Sequence, residues 1–376
     1  MTYGSEDAIM QIPADLESMT PEWLTQVLTA AGAIEHTSVT AIESERLGKG
    51  RGLVGQVIRF RLTYHSPEVV GAPESIVAKI SHSDPDLRKQ LSDLYKKEVN
   101  FYKEVADEID IRVPHLYYGA LDEESGIHVL LLEDLRNGRI GDIPSGCSRE
   151  DAEFVIDYLV RLHVAWWEHP RLESMDWVPA QSPLDDPEVK EEWDRGMNDC
   201  WCQFEEKFGG RIPAPIEKVW PVLVQHRDKI RTDSSVPPLT LCHGDFHLGN
   251  LFFCDVEAEF PLAVFDWQAI IRAQGAFDLS YFIIGNLEPE LRRKVEKDLL
   301  QKYCAKLNEN GIEDYNLDQC YHSYRITLYE VILPQLVGIA ASFDLSDELE
   351  QTVLPVLFRR ASEAIIDHPI GDLVHG

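Results

Sequence analysis

Five extended segments surround a single helical one between residues 39 and 132, and that order restricts the fold more than any other feature of the chain. Val39–Leu47, Val54–Tyr64 and Ser75–Ile80 read as strands, the second because Val57-Ile58-Arg59-Phe60-Arg61-Leu62 largely alternates apolar and polar residues. Asp84–Asp107 has helical spacing, with Leu87, Leu91, Leu94, Val99 and Tyr102 as its expected buried stripe. Two more strands are predicted at Leu116–Leu121 and Ile127–Leu132. This succession suits an antiparallel sheet with one packed helix better than alternating βαβ units. Upstream, Thr20-Pro21 reads as a helix cap followed by proline at the first helical position, with Trp23, Leu24, Val27 and Leu28 on the apolar face.

From residue 137 the pattern turns mainly helical. Val155, Tyr158, Leu159, Leu162 and Trp166 recur at helical intervals, as do Leu291, Val295, Leu299, Tyr303 and Leu307. Further helices are expected near residues 317–341 and 347–366. Short strands interrupt them at Leu239–Cys242, Leu251–Phe253 and Leu262–Phe265. A chain of 376 residues is too long for one ordinary core, and Asn137-Gly138 opens a turn-rich stretch. Two domains are therefore expected, residues 1–136 and 137–376.

Charge narrows the partners. With 35 Lys and Arg against 65 Asp and Glu, the formal net charge is −30, a field that repels phosphate backbones and attracts cationic small molecules. Nucleic acid is not an expected partner. No apolar run is long enough to cross a bilayer, so a membrane is not one either. No Lys or Arg precedes Arg46, unlike secretory or organelle leaders, and the seven cysteines are odd in number and scattered, so a cytoplasmic protein is expected.

The chemistry concentrates in His243-Gly244-Asp245-Phe246-His247-Leu248-Gly249-Asn250, with Val264-Phe265-Asp266-Trp267 ending the next strand. Phosphoryl transfer needs this combination. One carboxylate orients the attacking hydroxyl and takes its proton, and an amide oxygen and a second carboxylate hold Mg²⁺ against the phosphates. Asp245 and Asn250, five residues apart, have the spacing of a kinase catalytic loop, and Asp266 stands where that pattern places a metal-binding carboxylate. His243, Asp245 and His247 would also read as the ligands of a metal-dependent hydrolase, though no companion cluster accompanies them.

Three further features occur in the order a kinase requires. Gly50, Gly52 and Gly55 lie in a glycine-rich loop with Gly48 just before it, and the β-like residues that follow argue against a dinucleotide-binding loop, which would open a helix. Lys79 sits in Ile76-Val77-Ala78-Lys79-Ile80, where a lysine in an apolar strand calls for a partner. Glu98 on the following helix is the expected one, with Glu104 as the alternative. Leu130-Leu131-Leu132-Glu133-Asp134-Leu135 could hold an adenine through the backbone of Glu133 and Leu135.

Together these segments resemble the aminoglycoside phosphotransferase/choline kinase-like superfamily, including its ecdysteroid kinase-like relatives, in which the loop reads His-Gly-Asp. The resemblance runs from about residue 40 onward. It implies an α+β, bilobal protein-kinase-like fold: an N-terminal antiparallel sheet with one packed helix that binds nucleotide, and a larger, mainly helical C-terminal lobe with the catalytic loop and acceptor site. It implies ATP and Mg²⁺ as cofactors and a small-molecule hydroxyl as acceptor, aminoglycoside-, choline-, macrolide- or sterol-like. Asp245 would be the base, Asn250 and Asp266 the metal ligands, and His243 and Asp278 structural braces. His163 reads as a packed histidine. The acidic, tryptophan-rich stretch before the loop, with Trp193, Asp199 and Glu205, is a candidate acceptor surface or a solvated helix face. A catalytically silent kinase-like module is the remaining alternative.

Overall fold

The computed structural model describes residues 11–48, 55–66, 71–181, 187–254, 261–342 and 349–374. The chain divides into two compact units, residues 1–107 with 114–135, and residues 108–113 with 136–376.

The first unit begins with α1 (Pro21–Ala30), whose first turn is closed by the Thr20 hydroxyl accepting the Trp23 amide at 3.3 Å. Then come β1 (Val39–Leu47), β2 (Gly55–Tyr64), β3 (Ser75–Ser81), α2 (Pro85–Gln90), α3 (Ser92–Glu104), β4 (Leu116–Asp122) and β5 (Ile127–Glu133). The strands form one antiparallel sheet in the order β1-β2-β3-β5-β4. Side chains alternate across it. Ile76, Ala78 and Ile80 of β3 enter the core with Leu24, Val27 and Leu28 of α1, while Lys79 points to the other face, where α3 lies.

The helix expected over residues 84–107 is two helices. Asp84 caps α2 by accepting the Asp86 and Leu87 amides. At Leu91 the amide is shared between the Leu87 and Lys89 carbonyls, a tightened last turn that redirects the chain. The stripe facing the sheet therefore starts later: Tyr95, Glu98, Val99, Phe101 and Tyr102 are buried, whereas Leu87, Leu91 and Leu94 are only half-buried. Neither glycine nor proline marks the break.

The second unit holds β6 (Gly138–Ile140), α4 (Arg149–Trp166), α5 (Pro187–Phe208), α6 (Ala214–Ser235), β7 (Thr240–Cys242), β8 (Leu251–Cys254), β9 (Leu262–Val264), β10 (Ile271–Ala273), α7 (Ala276–Asn286), α8 (Pro289–Glu309), α9 (Leu317–Thr327), α10 (Leu333–Ser342), α11 (Leu354–Asp367) and α12 (Gly371–Val374). Two small antiparallel sheets, β6-β8-β9 and β10-β7, sit among the helices. The helix expected over 317–341 is interrupted by a π-turn at Leu328–Ile332, and α11 is preceded by another at Leu349–Val353. Each ends two residues before a proline, Pro334 or Pro355. Proline cannot donate to the carbonyl four residues back and collides with it, and the widened turn relieves both. Among the described residues no helix is long and apolar enough to cross a membrane.

Candidate active site

The pairing of short strands assembles the loop of residues 243–250. β7 delivers it and β8 leaves it; β8 pairs with β9, and the Phe265 amide donates to the Asn250 carbonyl at 3.1 Å, which brings Asp266 beside Asn250. His243 closes the arrangement. Its Nδ1 accepts the Asp245 amide at 3.2 Å and its Nε2 faces the Phe265 carbonyl at 3.0 Å, so the proton sits on Nε2 and the ring is neutral. Burial pushes His243 down, against the pull of the Asp278 and Asp245 carboxylates. The ring packs on Trp267 at 4.6 Å, whose indole donates to the Val264 carbonyl at 3.2 Å.

Two positions in this turn are left-handed. Gly244 has φ +84°, and a Cβ there would overlap the Ala269 carbonyl, so only glycine fits. Asp266 has φ +69° and ψ +60°, a conformation aspartate tolerates better than most side chains.

Helix α7 braces the loop at both ends. Asp278 accepts the His243 amide at 2.6 Å and the Gly244 amide at 3.0 Å, and Asn286, two turns on, accepts the Leu248 amide at 3.0 Å. Behind Asp278 stands His163, with Nε2 at 3.4 Å from the carboxylate and Nδ1 at 2.6 Å from the Tyr303 hydroxyl. His163, Cys242 and Asp278 have metal-ligand chemistry and lie close together. Their atoms are already engaged: both Asp278 oxygens take backbone amides, and the Cys242 thiol lies near the Ala273 and Gln274 carbonyls. The cluster is a brace.

At the centre, Asn250 Nδ2 donates to the Asp245 carbonyl at 2.9 Å and to its Oδ2 at 3.1 Å. This turns the Asn250 amide oxygen away from Asp245. That oxygen and the Asp266 carboxylate are hard oxygen donors of the kind Mg²⁺ takes, so the residues present fit that ion. His247 Nε2 lies 3.3 Å from Asp245 Oδ2. Burial works against ionisation of Asp245, but the neighbouring His247 and the Tyr281 hydroxyl outweigh it and hold the carboxyl well below the usual carboxylate range. The side chain is 28 % exposed, so solvent screens part of that attraction. For His247, burial opposes the proton, and Asp245 and Asp266 prevail and raise it. Tyr281 is driven well above its ordinary value by burial and by Asp245.

In the first unit, Lys79 Nζ meets Glu98 Oε1 at 2.6 Å, and Glu98 is only 2 % exposed. Glu104, the alternative partner, lies on the exposed face of α3. Gly55 belongs to β2, opposite Ser81, and a Cβ there would come 2.5 Å from the Ile80 carbonyl, so close strand packing alone demands glycine. Gly50 and Gly52 lie outside the described residues. Glu133 is tied to His115 twice, its amide donating at 2.8 Å and its carboxylate accepting at 3.1 Å. Asp134 is held by Arg59 and by the Ser75 hydroxyl, a strut under the half-buried Leu135.

The acidic helix α5 is mainly a solvated face. Asp199 and Glu205 are exposed, Trp193 is 46 % exposed, and Trp201 stacks on Trp220 at 4.6 Å. Tyr281, Asn286 and Tyr303 escape sequence reasoning. Tyr303 is legible only as an apolar-stripe residue, and no spacing marks the other two.

Residues 49–314 match the sequence profile described as the ecdysteroid kinase-like family. Among the solved structures that resemble this one are the following three. The GDP complex of wild-type aminoglycoside 2'-phosphotransferase-IIIa is 13 % identical, with TM-score 0.55 over 90 % of this chain and 97 % of that one. The GDP and kanamycin complex of APH(2")-IIia is also 13 % identical, with TM-score 0.55 over 93 % and 99 %. Choline kinase from Cryptosporidium parvum Iowa II is 10 % identical, with TM-score 0.54 over 93 % and 99 %. At such identities the likeness establishes the protein-kinase-like fold. No curated protein matches the chain in sequence.

Proposed function

The chain belongs to the ecdysteroid kinase-like family, a kinase-like phosphotransferase family, and from that premise we propose that it transfers the γ-phosphate of ATP to a hydroxyl of a small molecule with Mg²⁺. The observation that carries this reading is the 3.1 Å contact between Asn250 Nδ2 and Asp245 Oδ2, with Asp266 drawn beside Asn250 through the Phe265 amide. A base and two metal donors are thus contiguous.

Asp245, ionised, accepts the hydrogen of the attacking hydroxyl and orients its oxygen. Asn250 and Asp266 would hold Mg²⁺, which would supply charge neutralisation on the phosphate oxygens. Lys79, set by Glu98, takes the nucleotide phosphates, helped by Gly50, Gly52 and Gly55. The backbone of Glu133 and Leu135 takes the base. Residues 1–136 would bind nucleotide, and residues 137–376 would carry the catalytic loop and the acceptor. GDP in two of the similar structures supports a nucleoside phosphate as ligand. Membership of the ecdysteroid kinase-like family favours an ecdysteroid-like sterol as acceptor; kanamycin in one similar structure and a choline kinase among the others, with the net charge of −30 here, keep cationic acceptors in view. A cytoplasmic site of action fits ATP as donor.

The hydrolase reading loses ground at His243, whose two ring nitrogens already serve Asp245 and Phe265. The test is Mg²⁺-dependent ADP release over ecdysteroids, aminoglycosides, choline-like alcohols and macrolides, with Asp245→Asn as control. Acceptor-stimulated release that vanishes in the control is expected. ATP binding without turnover of any acceptor would instead favour a silent module, and tight stoichiometric zinc would revive the hydrolase.

A further inference from the structure

His247 is a polar ring of the 243–250 loop to which the phosphotransferase reading gives no task. Its position is nonetheless confined from three sides. Its amide donates to the Asp245 carbonyl at 3.0 Å. Its ring lies on Tyr281, with centroids 6.3 Å apart and planes 25° from parallel, and Tyr281 in turn lies parallel to Phe277 at 6.5 Å. On the remaining side a Cβ at Gly249 would come 2.9 Å from the imidazole, so the absence of a side chain there makes room for the ring. The result is an Nε2 held 3.3 Å from Asp245 Oδ2, the same oxygen that Asn250 Nδ2 reaches at 3.1 Å.

Two donors on one oxygen, beside the Tyr281 hydroxyl that also acts on this carboxyl, give Asp245 a preferred face. We propose that His247 is a positioning residue for the phosphoryl acceptor: from its shelf on Tyr281 it holds Asp245 Oδ2, so that Oδ1 is the oxygen presented to the attacking hydroxyl. The inference rests on the phosphotransferase reading above. In the step it serves, the acceptor oxygen bonds to the γ-phosphorus and its proton passes to Asp245 Oδ1. The bond to the leaving oxygen breaks with its electron pair on ADP. A separation of 3.3 Å is long for a charge-assisted hydrogen bond, as such contacts often are before substrate binds.

A merely packed histidine would need its ring; a positioning one needs its N–H. His247→Phe keeps the stack on Tyr281 and loses the donor, whereas His247→Gln keeps an N–H near the place of Nε2 and loses the ring. ADP release is measured from ATP and Mg²⁺, first with water as acceptor and then with the acceptor that stimulates it most, beside thermal melting of each variant. Losing a hydrogen bond to a charged group predicts that His247→Phe lowers kcat roughly 10- to 100-fold, with KM for ATP within about twofold. His247→Gln should stay within about fivefold of the parent. Because His247 acts through Asp245, the Asp245→Asn/His247→Phe double variant should be no slower than Asp245→Asn alone. Parental kcat in His247→Phe, a Phe variant as good as the Gln variant, or multiplied losses in the double variant would each overturn the proposal while leaving the phosphotransferase standing. No ADP release by the parent, or full release by Asp245→Asn, would bring down the underlying reading and this one with it.

Discussion

Asn250 presents its amide nitrogen to Asp245 at two points, the carbonyl at 2.9 Å and Oδ2 at 3.1 Å, so the five-residue spacing between them is closed by a real contact. The orientation of one amide decides which of its atoms a cation can meet. Asn250→Asp replaces that donor with a second anion against Asp245. Turnover should fall on the order of 10²-fold or more, as when a preorganised polar group is removed from a reacting centre. A Mg²⁺ titration of ADP release checks it; an unchanged Mg²⁺ requirement and rate would remove Asn250 from the metal site.

Lys79 and Glu98 differ in burial, at 18 % and 2 % exposed side chains, and that asymmetry is testable. Removing the lysine leaves the charge that solvent reaches less. Lys79→Met should therefore destabilise the protein more than Glu98→Gln, by about 3 kcal/mol against about 1–2 kcal/mol, discounted for the exposed lysine. Both should weaken nucleotide binding. Urea melts and ATP titrations of the two variants give the order, and a reversed order would mean Glu98 is not held by Lys79.

His128 supplies a pH dependence of stability. It is 2 % exposed, stacks on Tyr95 at 4.1 Å, and neither ring nitrogen has a hydrogen-bond partner among the described residues. Burial, with Lys79 nearby, lowers it from 6.5 to about 3. Between those values the unfolded chain binds a proton that the folded chain refuses. Stability from this group is thus complete above the unfolded value and is lost as pH falls toward the folded one. The loss is about 1.4 kcal/mol per pH unit, or about 2 kcal/mol by pH 5. His128→Phe keeps the stack and abolishes the titration. Its advantage over the parent should be larger at pH 5.0 than at pH 7.5 in urea denaturation, and an equal advantage at both would contradict the assignment.

Gly244→Ala should be among the most damaging single-methyl changes in the chain. Its φ of +84° and the Ala269 carbonyl in the path of any Cβ force the turn to move, which shifts Asp245 and breaks the Asp278 hydrogen bonds. A stability loss of at least about 2 kcal/mol, with turnover nearly abolished, is expected from strain of this kind. Circular-dichroism melting and ADP release measure both. A variant with parental melting and rate would show that the loop tolerates rearrangement.

The recognisable parts of the site are those whose chemistry needs fixed residue types at fixed local spacing. Asp245, Asn250 and Asp266 are close in sequence, and Lys79 in an apolar strand called for a partner on the following helix, where the kinase pattern favoured Glu98 with Glu104 as the alternative. Asn286 and Tyr281 gave no such sign, because their partners lie tens of residues away. Leu248 and Asn286 are 38 residues apart, and only the packing of α7 under the loop brings them to 3.0 Å.

Local pattern therefore determined the five strands, the helical second half and the residues of the 243–250 loop, since alternation, helical spacing and loop chemistry are properties of neighbours along the chain. Tertiary structure alone decided the sheet order, the break at Leu91 and the π-turns before Pro334 and Pro355. It also decided the contacts of each ring and amide around Asp245. Those depend on which distant side chain occupies the adjoining space, and a side chain's hydrogen-bond partner is set by three-dimensional packing rather than by its position in the sequence.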